Sequence, residues 1–146
     1  MSFNGSGSGL TAVSQGDNGT TTSTTSNRQL SSSFVTHLSR TRTVPSGHLG
    51  HIIVSAHFAQ AYEESAGAWE TRCIVSGTQS LTGSTITNHR GHHSNNAGSC
   101  QPTWSFSLSA GSYTFSLQAR EWNGYVELNR HNGNDVLMVQ GFYVRD

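Results

Sequence analysis

Eight histidines invite a search for a metal site. The densest group is His89-Arg90-Gly91-His92-His93, and His48 with His51 forms a second pair. Zinc needs three or four ligands on rigid elements, with neighbouring groups that orient them. His89, His92 and His93 sit instead in a Gly/Ser/Asn-rich stretch with no carboxylate within six residues, and the chain has no His-Glu-x-x-His pattern. Neutral histidines in a solvated loop are the default expectation, and no cofactor is implied. The alternative is an ion on a symmetry axis, completed by one histidine from each subunit of a trimer.

Paired carboxylates could cleave glycosidic bonds if held about 5–10 Å apart across a cleft. Glu121 and Glu127 flank Asn123-Gly124 and could approach each other across a hairpin. Any antiparallel hairpin bearing two acids does the same, so this pair does not point to an enzyme. Neither a Gly-x-Ser-x-Gly nucleophile turn nor a phosphate-cradling loop is present. Sugar binding is more plausible than catalysis: Trp122, Asn123, Tyr125 and Asn129 combine rings and amides suited to the faces and hydroxyls of a glycan. A plain structural role, a cross-strand Trp122/Tyr125 pair beside a turn, is the preferred expectation. Cys73 and Cys100 enclose about 27 residues, and a disulfide between them would contribute about 3 kcal/mol. Synthesis in a reducing cytoplasm favours two thiols, whereas later release of a particle would permit the bridge.

The elements that must position these residues read as strands. Trp104, Phe106, Leu108 and Ala110 alternate with Thr103, Ser105, Ser107 and Ser109. Tyr113, Phe115, Leu117 and Ala119 alternate with polar residues over 112–120, and Gly111 between the two runs predicts a hairpin. Trp69, Thr71, Cys73 and Val75 predict another strand, Val126 and Leu128 a short one, and Val136–Val144 a closing one. Asn123-Gly124 is a strong hairpin signal, and Val44-Pro45-Ser46-Gly47 ends the first strand of the body. Residues 55–66 could form a short helix by propensity. A strand is preferred, because Ile52, Val54, Ala56, Phe58 and Tyr62 would share one face. About eight strands with short turns predict an all-β antiparallel sandwich, of jelly-roll type, over residues 34–146.

Residues 1–33 differ in kind. They hold nine Ser, six Thr, five Gly and three Asn, with Met1, Phe3, Leu10, Ala12, Val13 and Leu30 as the apolar members. Ordering a residue's backbone costs roughly 1–2 kcal/mol, which six scattered side chains cannot offset. The segment is therefore expected to be an extended arm that takes its shape from a neighbouring molecule.

Charge narrows the partners. Charged residues make up 11% of the chain, all eight cations are Arg, and the formal net charge is zero. No clustered positive surface is available for nucleic acid or an anionic membrane. No run approaches the 18 or so apolar residues of a membrane span, and the first thirty residues lack a secretory signal. Synthesis in the cytoplasm without export by that route is the expectation.

The opening Met1-Ser2-Phe3-Asn4-Gly5-Ser6-Gly7 resembles the start of tailed-bacteriophage virion proteins, tail fibres especially. The body resembles the sandwich domains phages use as capsid decoration proteins, head fibres and fibre tips. Thr43-Val44-Pro45-Ser46-Gly47, an Ile/Val strand and then Trp69 are also similar to trimeric tumour-necrosis-factor-like and complement-type sandwiches. The resemblance implies a non-enzymatic virion protein, assembled in the cytoplasm of a host bacterium. It would be a homotrimer bound to the major capsid or other virion proteins through Met1, Phe3, Asn4, Leu10 and Val13. The alternative it implies is a fibre tip that recognises cell-surface polysaccharide.

Overall fold

The computed structural model describes residues 15–16, 19–89, 96–130 and 133–146. Their eleven strands are β1 (Gln15–Gly16), β2 (Thr20–Thr24), β3 (Arg28–Gln29), β4 (Val35–Val44), β5 (His48–Gly77) and β6 (Leu81–Thr82), then β7 (Ile86–His89), β8 (Asn96–Cys100), β9 (Thr103–Leu108), β10 (Gly111–Leu128) and β11 (Asp135–Arg145). Every pairing is antiparallel, and the described residues include no helix.

The strands divide between two sheets. In sheet I, β11 lies between β5 and the β1/β2 edge, and β9 pairs with the far side of β5. Sheet II runs from β4 and β3 through β10 to β5, with β6, β7 and β8 along the opposite side of β5. Strand β5 belongs to both. Residues 48–57 pair with β11, residues 61–77 pair with β10, and a register shift between Phe58 and Ala61 marks the passage. Strands that switch sheets through bulges are the usual corners of such sandwiches. If the halves of β5 are counted separately and β6 to β8 as one broken strand, eight positions result. Their order, β2-β11-β5-β9 and β4-β10-β5-(β6–β8), is a jelly roll, and the all-β sandwich expected from alternation is what forms.

The alternation has its intended result. Trp104, Phe106 and Leu108 face inward from sheet I, while Tyr113, Phe115, Leu117 and Ala119 face them from sheet II. The Phe106 and Phe115 ring centroids are 6.2 Å apart, and Phe58 meets Trp69 edge-on at 4.8 Å. Burial of such aromatic surfaces dominates the energetics of a core of this kind.

Four expectations need correction. First, Gly111 does not turn a hairpin, because β9 pairs with β5 in sheet I whereas β10 lies in sheet II. Gly111 is a corner with φ of 153°, packed against Thr78. Second, Asn123-Gly124 is not a turn, for β10 runs on past it to Leu128. Shifts of register on either side of Asn123 make it part of a bulge, with the positive φ of 72° at Gly124 absorbed inside the strand. Third, residues 55–66 are strand as preferred, but the bulge after Phe58 rotates Tyr62 away from the face of Ile52 and Val54. Ala61 and Glu63 point inward opposite Leu128 and Val126.

The fourth concerns the arm. Thr20–Thr24 pair with β11 and Arg28–Gln29 with β10, so this part of the polar segment belongs to the sandwich. Leu30, only 3% exposed, joins the core, and its N–H donates to Val126 O at 2.9 Å. Composition missed this because an edge strand is held by its main-chain ladder, for which β-branched threonines suffice. The arm boundary therefore does not fall at residue 33. Met1, Phe3, Asn4, Leu10 and Val13 lie outside the described residues.

Candidate functional site

Irregularity in β10 shapes the surface with the most chemistry. Glu121 pairs with Trp69 and Asn123 with Ala68, so Trp122 is the extra residue of a bulge. The bulge turns its indole outward, 61% exposed, beside exposed Asn123. Beyond the bulge Val126 and Leu128 point inward, which by alternation puts Tyr125 and Glu127 on the outer face of sheet II.

Tyr125 meets Tyr62 edge-on with centroids 6.3 Å apart, and the Arg130 guanidinium lies 3.8 Å over the Tyr62 ring. The Tyr125 hydroxyl donates to Glu127 Oε2 at 2.8 Å. Arg130 Nε is 3.7 Å from the same oxygen, and its Nη1 is 4.0 Å from Glu64 Oε1. The Glu127 hydrogen bond pushes the Tyr125 hydroxyl above the ordinary tyrosine range, with partial burial adding to the shift. Phenol, carboxylate and guanidinium thus engage one another, so this cluster offers no uncommitted base. It presents a mutually bonded polar rim next to one exposed indole.

The other sugar candidate sits elsewhere. Asn129 is buried, with a positive φ of 59°. Its Nδ2 donates to Thr24 O at 3.1 Å and Ser26 O at 3.3 Å, tying the turn between β2 and β3 to the body. Asn129 therefore serves the fold, and of the four glycan candidates Trp122, Asn123 and Tyr125 reach the surface.

His92 and His93 lie outside the described residues, as does the side chain of His89. Among the described residues no group of three His, Cys, Asp or Glu side chains comes together as a metal site. Cys73 and Cys100 are both thiols and do not form the disulfide that spacing allowed. Cys73 packs inward opposite Leu117, and burial pushes its thiol up to about 12. Cys100 is half-buried opposite Phe58 on β8.

Two further features escaped sequence reasoning. Arg72 and Arg120, distant in sequence, lie 3.9 and 4.5 Å over the ring of Phe34. Arg120 also reaches Glu70 Oε2 at 2.6 Å, and Arg72 Nε donates to Gln118 Oε1 at 2.9 Å. Inside the sandwich, Glu63 accepts from Trp69 Nε1 at 2.8 Å, and Asp135 meets His37. A signal existed for Asp135, since it shares the alternation parity of buried Leu137 and Val139. An acid on that face demands a partner.

No protein-family model matches the chain. No curated protein matches it either. Among solved structures, that of infectious bursal disease virus, Gx strain, is similar at a TM-score of 0.37 and 8% identity, over 89% of this chain. The chain spans 42% of the length of that one. The strand order described above, and not this likeness, is the basis for the fold.

Proposed function

We propose that this chain is a non-enzymatic structural protein of a bacteriophage virion, a capsid decoration protein whose sandwich sits on the particle surface. It acts as a homotrimer, made in the host cytoplasm and bound to major capsid or other virion proteins. The residues before β1, with Phe3, Leu10 and Val13 as apolar anchors, add to a neighbour's sheet edge through main-chain hydrogen bonds. Several copies then act together by avidity, and binding the intact lattice stabilises it by mass action.

The observation that carries this reading is β1. Gln15 and Gly16, with no apolar side chain between them, pair with Tyr143 and Phe142 at the open edge of sheet I. This polar pair is held to a sheet edge by main chain alone, within its own chain, which is the kind of contact proposed for the residues before it with a neighbour. Co-sedimentation with particles stripped of the protein tests it: the full chain should bind, and a chain lacking residues 2–14 should not. Undiminished binding by the shortened chain would refute the anchoring role.

A second reading rests on Trp122. An indole 61% exposed beside a polar rim suits an adhesive tip that stacks on cell-surface polysaccharide. Loss of host adsorption by Trp122→Ala, with particle attachment intact, would favour that role over the structural one.

A further inference from the structure

Charge is segregated between the two faces of this sandwich. The outer face of sheet II bears Glu64, Glu70, Arg72, Arg120, Glu127 and Arg130. The outward positions of sheet I, between its ends, hold no Asp, Glu or Arg on any of its strands. Apolar side chains share these positions with the imidazoles of His51 and His57, the amide of Gln140 and the hydroxyl of Ser55. Leu49 and Phe142 are exposed at 41% and 38%, with half-buried Ile53, Val144, Met138 and Val136 along the same two strands. Serines and threonines of β9 and β2 border this stripe.

We propose that this face is where copies of the chain meet in the homotrimer, a proposal that rests on the oligomeric reading above. Interface cores are depleted in charge and enriched in aromatic residues and Met, as this stripe is. A face without carboxylates or guanidinium groups offers a charged partner little to offset its lost hydration, so an uncharged complement suits it best. Among the described surfaces of this chain, the outer face of sheet I is itself that complement. Relief completes the match. Phe142 and Leu49 stand at one end of the stripe, and a depression of about 360 Å³ lies at the other, lined by Ser55, His57, Thr103, Val136 and Met138 among others. Knob and hollow occupy different places on one face, so each copy can give its knob to one neighbour and take another's in its hollow. A head-to-tail contact of this kind forms a ring of three when each step turns the next copy by a third of a circle.

Mass measured by light scattering on the purified full chain tests this. The native chain should weigh three subunits. Phe142→Glu should weigh one while keeping the β-type circular dichroism spectrum. Ser105→Arg places a charge on an exposed position of the same face without touching the core, so it covers the case in which Phe142→Glu fails to fold. It too should weigh one subunit. Trp122→Glu, on the other sheet, should remain three. A native chain that is monomeric at high micromolar concentration overturns the proposal, as does a Ser105→Arg chain that stays assembled. Particle co-sedimentation of the same variants separates the two readings. A native chain that is monomeric yet still attaches leaves decoration standing and removes only this interface.

Discussion

His37 Nε2 and Asp135 Oδ2 lie 2.7 Å apart with both side chains closed to solvent, joining β4 of sheet II to β11 of sheet I. Asp135 Oδ1 also accepts the Ala59 N–H at 2.8 Å, at the corner where β5 changes sheets. The His37 ring stacks on Phe58, centroids 5.8 Å apart, and its Nδ1 is buried with no hydrogen-bond partner. An acid beside a histidine suggests a catalytic pair, yet no substrate reaches groups buried this fully. The pair is a clasp between the sheets.

Removing one member should therefore be costly. Asp135→Ala leaves His37 and the Ala59 N–H unsatisfied and should lower stability by about 3–5 kcal/mol, measured by urea unfolding. The double change His37→Phe with Asp135→Leu should recover most of that loss. An Asp135→Ala chain as stable as the native one would contradict the clasp.

Truncation should distinguish arm from body. A chain lacking residues 2–14 should keep the native unfolding midpoint. One lacking residues 2–30 should not fold, because it loses β2, β3 and Leu30. Leu30→Ala alone should cost about 2–5 kcal/mol. Equal midpoints for both truncations would mean that β2 and β3 contribute nothing to the sandwich.

Gly77 is positioned by backbone as well as by space. Its φ is 143°, and a Cβ there would collide with the carbonyl oxygen of Ser112. Gly77→Ala should destabilise by roughly 1–3 kcal/mol, since main chain cannot yield as a side chain does. A neutral result in thermal unfolding would show that the β5–β10 end relaxes freely.

The Cys73 thiol makes stability depend on alkaline pH. The unfolded thiol ionises near 9.0, whereas the folded one waits until about 12. Above pH 9 the unfolded chain releases a proton that the native chain keeps, so the contribution is whole below pH 9 and is lost as pH rises toward 12. The slope should be about 1.4 kcal/mol per pH unit, and Cys73→Ala should flatten it. In native protein at pH 8, a thiol reagent should modify Cys100 well before Cys73. Equal rates would count against the burial.

Trp122→Ala should leave stability within about 0.5 kcal/mol of native, as exposed substitutions usually do. Its effect, if the adhesive reading holds, is confined to adsorption. A large loss of stability would assign the indole to packing instead.

Much of this was legible in the residues. Thr103–Leu108 and Ser112–Arg120 announced their faces, because one-sided burial imposes a period of two. Pairing was not legible: nothing local distinguishes a Gly111 hairpin from a Gly111 corner, since the partners of β9 and β10 lie far away in sequence. Asn123-Gly124 carried the chemistry of a tight turn, but that chemistry permits positive φ without dictating reversal. The sugar candidates divided for the same reason. Trp122 is exposed by a bulge visible only in the paired structure, and Asn129 is buried because Thr24 and Ser26 fold back onto it.

Thirty consecutive residues of β5 serve as a common backbone for both layers. Neither layer can peel away without dragging the other's central strand along. Loss of order at either end should thus spread through one covalent rod, so that the two layers melt together in a single transition. On the decoration reading, such a protein has no weaker half to fail first when the particle is sheared or dried.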